Sequence, residues 1–141
     1  MPVFLPEPYA AYGSNLWRDQ MRRRCPEAEV AGSLVLPGWR LMLRKYALIR
    51  RDETAGCPIG LWRITQADLD ALDVYEGPRT YARILVPLPD GSQAWTYDEI
   101  RIRPGPPASE YVRRLRRGYA DFAFDSAPLE AAIRESGYVE Q

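Results

Sequence analysis

The sequence predicts an α+β fold, a small mixed and mainly antiparallel β-barrel with helices at its rim. Three observations lead there. Short β-rich runs fill residues 8–12, 33–64 and 81–103, punctuated by Gly, Pro and Asp turns. Helical patterns are fewer and fall outside those runs, at 16–24, 65–75, 109–122 and 128–136. With 141 residues, 46% hydrophobic and 27% charged, the chain suffices for one apolar core, so residues 1–141 are read as one domain.

Taken in order, residues 8–12 are a short apolar strand that stops at the Gly13-Ser14-Asn15 turn. A short helix over 16–24 follows, with Asn15 as its expected cap. "SLVLPGWRLML" (33–43) divides into two β runs about Pro37-Gly38, which predicts a hairpin there. "KYALIR" (45–50) and "CPIGLWRI" (57–64) add two strands, with the polar "RDETAG" as a loop between them. "TQADLDALDVY" (65–75) carries a capping-box spacing, Thr65 with Asp68, ahead of Leu69 and Leu72 on one face. A second hairpin turns at Asp90-Gly91, and Pro87 and Pro89 place its first strand at an edge or bulge. After the "RPGPPA" break (103–108), "SEYVRRLRRGYADF" and "PLEAAIRES" close the chain as helices. The total is about six strands.

Composition excludes several kinds of chemistry. Nineteen basic residues balance nineteen acidic ones, so no net field gathers nucleic acid or anionic membrane. Histidine is absent, which removes Ser-His-Asp and Cys-His catalysis and histidine metal sites. Proton transfer would fall to a carboxylate, a tyrosine or the lone lysine, Lys45. Two cysteines make no disulfide framework and have no metal-site spacing. The proline-broken N-terminus lacks the pattern of a secretory signal, and no apolar run reaches the ~20 residues of a membrane span. A cytoplasmic protein without nucleic-acid or membrane partners is the expectation.

Glu76, in "LDVYEGP", is the leading candidate residue. It sits where a helix ends at Gly77-Pro78, with Tyr75 and Tyr81 near enough in sequence to shield it from water. The helix dipole and desolvation would both raise its pKa toward that of a general base. The competing reading is a solvated acid at a helix end. Asp73 reads as structural, a capping or ion-pairing acid. Ser14 lacks both a nucleophile elbow and a histidine, so the Gly13-Ser14-Asn15 turn offers backbone N–H groups to an anion rather than a nucleophile. Cys25, after Arg22-Arg23-Arg24, reads as a structural thiol at a helix end. The "RRLRR" run (113–117) reads as a solvated face, with Tyr111, Val112 and Leu115 turned inward. Trp17, Trp39, Trp62 and Trp95 are expected in the core.

The ordered motifs "YGSNL", "RCPEA", "GWRLML", "GLWRIT", "DLDALDVYEGP", "YARILV" and the C-terminal "YVRRLRRGYADF" resemble those of the γ-glutamylcyclotransferase-like family, over nearly the whole chain. The resemblance implies a small β-barrel that takes a small γ-glutamyl substrate, without metal, nucleotide or other cofactor. The substrate's α-amine would attack its own γ-carbonyl, releasing 5-oxoproline and a free amine. It places the family's catalytic glutamate on Glu76, as general acid and base. It places the substrate loop on Tyr12, Gly13, Ser14, Asn15 and Leu16, with backbone N–H groups on the α-carboxylate. Tyr81 matches the family tyrosine after the glutamate, and Tyr97 is expected to line the same pocket. The "YGSN" loop differs from that of the glutathione-degrading branch, so a γ-glutamyl amine or dipeptide is expected rather than intact glutathione. The alternative is a non-catalytic module that binds a γ-glutamyl or amino-acid-like ligand in the same pocket. An interaction domain working through "RRLRR" rests on the charge run alone.

Overall fold

In the computed structural model, which describes residues 1–140, the first strand is three residues long. That strand, β1 (Tyr9–Ala11), is wholly buried and lies between two hairpins. The longer hairpin is β2 (Glu29–Leu43) with β3 (Ala47–Arg63), and the shorter is β4 (Tyr81–Pro87) with β5 (Gln93–Glu99). β1 runs antiparallel to β3, with Tyr9 opposite Trp62, and parallel to β5 at the single pair Tyr9–Trp95. The sheet order is β2-β3-β1-β5-β4.

The α+β class and the antiparallel bias are as the sequence predicts, but three details differ. The sheet is open: β2 and β4 stand at opposite edges and do not pair with each other. Pro37-Gly38 is not a hairpin turn. β2 runs straight through it, because both flanking segments pair with β3, and the turn chemistry yields a bulge in which Gly38 takes φ +84°. As an edge strand, β2 tolerates the N–H that Pro37 lacks. "RDETAG" falls within the bounds of β3 rather than between two separate strands, although its residues 52–55 have no register partner on β2, and five strands result instead of six. The reversal falls at Arg44-Lys45-Tyr46, where the Arg44 N–H donates to the Tyr46 carbonyl at 3.1 Å.

The helices sit on the sheet. Ser14–Leu16 forms one 3-10 turn, and α1 (Arg18–Arg24) follows it with Trp17, not Asn15, at its cap position. Asn15 is 3% exposed and its side chain is engaged inward, so it is unavailable as a cap. α2 (Gln66–Glu76) opens on the predicted capping box, in which Thr65 and Asp68 exchange hydrogen bonds of 3.0 and 3.1 Å. It ends at Gly77, whose φ of +82° suits glycine. α3 (Ser109–Asp121) lies over the 3-10 turn, and α4 (Ala127–Glu135) packs on β2. Leu16, Met21, Ile49, Ile59, Leu72, Leu115 and Leu129 form the centre of the core. Trp39 and Trp62 are buried with them and Trp95 is partly so, but Trp17 lies outside it, flanked by the Arg23 and Arg117 guanidinium groups at 5.4 and 5.3 Å.

Candidate active site

A cavity of about 370 Å3 opens where the 3-10 turn, the ends of α1 and α2, strands β4 and β5, and α3 converge. Its volume suits a small ligand. Seven of the nine tyrosines line it, at positions 9, 12, 46, 75, 81, 97 and 111. The wall is thus aromatic with polar tips, suited to a ligand that is itself polar.

Glu76 is the carboxylate of this cavity. It is the last residue of α2, so the turn enforced by Gly77 leaves its side chain at the junction of α2 with β4. Burial pushes its carboxyl up from 4.5 to about 7, against the opposing charge of Arg24.

The Gly13-Ser14-Asn15 turn lines the same cavity as Glu76. The turn's hydrogen bonds run from the Leu16 N–H to the Gly13 carbonyl and from the Trp17 N–H to the Ser14 carbonyl, both at 3.0 Å. The Ser14 and Asn15 amides precede the first of these bonds and so have no partner within the turn. A polar network stiffens it from behind. Buried Gln20 donates to Ser14 Oγ at 2.8 Å and Asn15 Oδ1 at 3.0 Å, and accepts from Arg114 at 3.0 Å. Arg24 also donates to Asn15 Oδ1 at 3.1 Å, and Asn15 Nδ2 donates to the Tyr9 hydroxyl at 3.0 Å.

Four more of these tyrosines are tied to protein partners. The Tyr12 hydroxyl donates to the Tyr97 carbonyl at 2.8 Å. The Tyr81 hydroxyl donates to the Ala47 carbonyl at 3.1 Å, and the Tyr111 hydroxyl accepts from the Ala47 N–H at 3.1 Å. The Tyr97 hydroxyl donates to Asp73 Oδ1 at 2.6 Å, while Asp73 Oδ2 accepts from Arg83 at 3.0 Å. Burial is the main reason that all these phenols lie far above the ordinary tyrosine range, and Glu76 adds to it in each of the five cases of Tyr9, Tyr12, Tyr81, Tyr97 and Tyr111. They act as neutral hydrogen-bonding groups.

The structure brings together on this cavity Glu76, Tyr12, Gly13, Ser14, Asn15, Tyr81 and Tyr97. Leu16 is placed elsewhere: it is fully buried and packs against Gly60 and Gly118. Sequence reasoning does not single out Tyr9, Tyr46, Tyr111, Arg24, Arg103 and Arg114 as cavity residues. Tyr111 and Arg114 are one turn apart on α3, and that spacing is a signal. Their face borders the cavity instead of belonging wholly to solvent. Tyr46 and Arg103 come from a turn and a loop, and no local pattern marks them. Cys25 is buried at the end of α1, its thiol pushed up to about 12 by desolvation and by Asp68 despite Arg24. Among the described residues, no group of three or more His, Cys, Asp or Glu side chains is placed to hold a metal ion, and no helix is long and apolar enough to cross a membrane.

Comparison with known proteins bears on the fold and the family. The fold matches a solved structure named gamma-glutamyl cyclotransferase with a TM-score of 0.73 at 20% identity, over 95% of this chain and 88% of that one. It matches YkqA from Bacillus subtilis with a TM-score of 0.76 at 21% identity, over 96% of this chain but 56% of that one. An uncharacterized protein from Homo sapiens matches with a TM-score of 0.72 at 20% identity, covering 95% of this chain and 88% of its own. At such identities the likeness is one of fold. No curated protein matches the chain in sequence. The family model described as gamma-glutamyl cyclotransferase, AIG2-like, matches residues 9–114, which include β1, the 3-10 turn, Glu76 and both cavity residues of α3. The chain belongs to the AIG2-like gamma-glutamyl cyclotransferase family.

Proposed function

We propose that this protein is a cyclotransferase that cleaves a γ-glutamyl amine or dipeptide to 5-oxoproline and a free amine, with Glu76 as general acid and base. The observation that carries the reading is a carboxylate, pushed up to about 7 by burial, in the same small cavity as a turn whose Ser14 and Asn15 amides have no partner within the turn. The ligand's α-carboxylate lies against the Ser14 and Asn15 amides, and its α-ammonium against Glu76. Ionised Glu76 takes one ammonium proton, and the freed amine attacks the γ-carbonyl carbon to form the new C–N bond. The tetrahedral intermediate then expels the original nitrogen, which takes the first proton back from Glu76 and the second, released by the ring nitrogen, through the same carboxylate, and so leaves as an ammonium ion. Two protons leave the attacking nitrogen and two reach the leaving one, so the reaction needs no outside acid or base. The attack is intramolecular, and holding the glutamyl chain folded supplies part of the rate.

The test is 5-oxoproline release from γ-glutamyl-alanine, γ-glutamyl-ε-lysine, simple γ-glutamyl amines and glutathione, by wild type and by Glu76→Gln. Release from a dipeptide or amine by wild type, reduced at least ~100-fold in the variant, is the expected result. Ligand binding at the 12–15 turn without any release would replace the enzyme by a binding module.

A further inference from the structure

The hydrogen bonds of the cavity tyrosines sort them into two kinds. A carbonyl or carboxylate can only accept, so a hydroxyl bonded to one has spent its single proton and meets a ligand with lone pairs. Tyr12, Tyr81 and Tyr97 are of this kind. Tyr9 and Tyr111 instead accept from N–H groups and keep a proton to give. The cavity is thus divided by polarity among residues of one chemical type.

Tyr97 differs from the other acceptors in what fixes it. Tyr12 is held by a backbone carbonyl, which no substitution removes, and Tyr81 by the Ala47 carbonyl with the Glu99 carboxyl, on β5, as a second partner. Tyr97 is held by a side chain, that of Asp73, one turn before Glu76 on α2. Asp73 is itself fixed by Arg83, whose guanidinium also lies 5.1 Å from the Trp95 ring centre.

We propose that Asp73 is a positioning residue: by taking the Tyr97 proton it makes Tyr97 an acceptor beside Glu76, so that the two together form a subsite for an ammonium group. This rests on Glu76 being the base of the proposed reaction. Without Asp73 the Tyr97 hydroxyl is free to donate to the Glu76 carboxylate. That bond stabilises the ionised form, weakens the base and turns the Tyr97 proton against an incoming ammonium. Glu76 shares its cavity with Arg24 from α1, Tyr9 and Tyr12 from β1 and its exit, Tyr81 and Tyr97 from β4 and β5, Arg103 from the loop before α3, and Tyr111 and Arg114 from α3. Of these, Tyr97 is the one whose donor-acceptor role is set by another titratable side chain on α2.

Asp73→Asn keeps the shape but has one acceptor oxygen to divide between Tyr97 and Arg83, and Asp73→Ala has none. The readout is the pH titration of the Glu76 carboxyl carbon by NMR. It requires no turnover, so failure here is separable from failure of the cyclisation. The Glu76 midpoint is expected to fall by about one pH unit in the Asp73 variants, as a hydrogen bond to a charged group dictates. With Tyr97→Phe in the background, neither substitution should move it. Tyr97→Phe alone should raise KM for a γ-glutamyl substrate about tenfold with little change in kcat. Should Asp73→Ala fail to fold, the isosteric Asp73→Asn carries the test. A midpoint unchanged in both Asp73 variants, or one that falls as far when residue 97 is phenylalanine, overturns the proposal.

Discussion

Replacing Glu76 by glutamine should stabilise the protein in alkaline solution while removing the base of the proposed cyclisation. The carboxyl is displaced from 4.5 to about 7 by burial in the cavity wall. A carboxyl raised in the native state favours that state when protonated. Between pH 4.5 and 7 the native chain therefore holds a proton that the unfolded chain has released, and stability falls as pH rises through that window. Each pH unit of displacement is worth about 1.4 kcal/mol, so above pH 7 the ionised group costs roughly 3 kcal/mol. Glutamine has the same shape and no charge to desolvate. At about 2–4 °C per kcal/mol for a chain near this size, Glu76→Gln should melt roughly 6–12 °C above wild type at pH 8.5. At pH 4, where both states of the wild type carry a mainly protonated Glu76, the two proteins should melt nearly together. Thermal unfolding followed by circular dichroism at both pH values decides it. Equal differences at pH 4 and pH 8.5, or no gain at pH 8.5, would refute a desolvated Glu76. The expected result is a trade of stability for activity at one residue.

Two further predictions probe the scaffold. Gly118→Ala should destabilise although it improves helix propensity, because the new Cβ would lie 2.6 Å from Leu16 Cβ and 2.8 Å from the Trp17 nitrogen. Overpacking against backbone there should cost ~1–3 kcal/mol by denaturant unfolding and displace the 3-10 turn, lowering activity in proportion. Cys25 and Cys57 are both fully buried, with thiols pushed up to about 12. A disulfide reagent at pH 8 should label neither in the native protein and both after unfolding; rapid native labelling would contradict their burial.

Features that depend on neighbouring residues are legible in the chain itself. Capping at Thr65, the Asp90-Gly91 hairpin and the stop at Gly77 each depend on residues within one turn of one another, and each is observed. Glu76 is recognisable because the same Gly77 that ends α2 also fixes where the carboxylate lies. The motif order points to the family, and the family model agrees over residues 9–114. Strand pairing is not legible in the same way. Pro37-Gly38 has the composition of a reversal, but a strand edge lined by β3 on both sides of it makes continuation more favourable. Leu16 belongs to the substrate loop by sequence neighbourhood, yet the close approach of Gly60 and Gly118 draws its side chain into the core. The tertiary structure alone decides the rest of the cavity. Tyr46, Arg103 and Tyr111 meet Tyr9 there from segments far apart in the chain, and whether each hydroxyl gives or takes a proton depends on partners as distant as Asp73 from Tyr97. Sequence determines which groups are available and how each local turn is made. Burial and hydrogen-bond direction arise only when separate segments exclude water together, and those two properties set the pKa of Glu76 and the polarity of the wall around it.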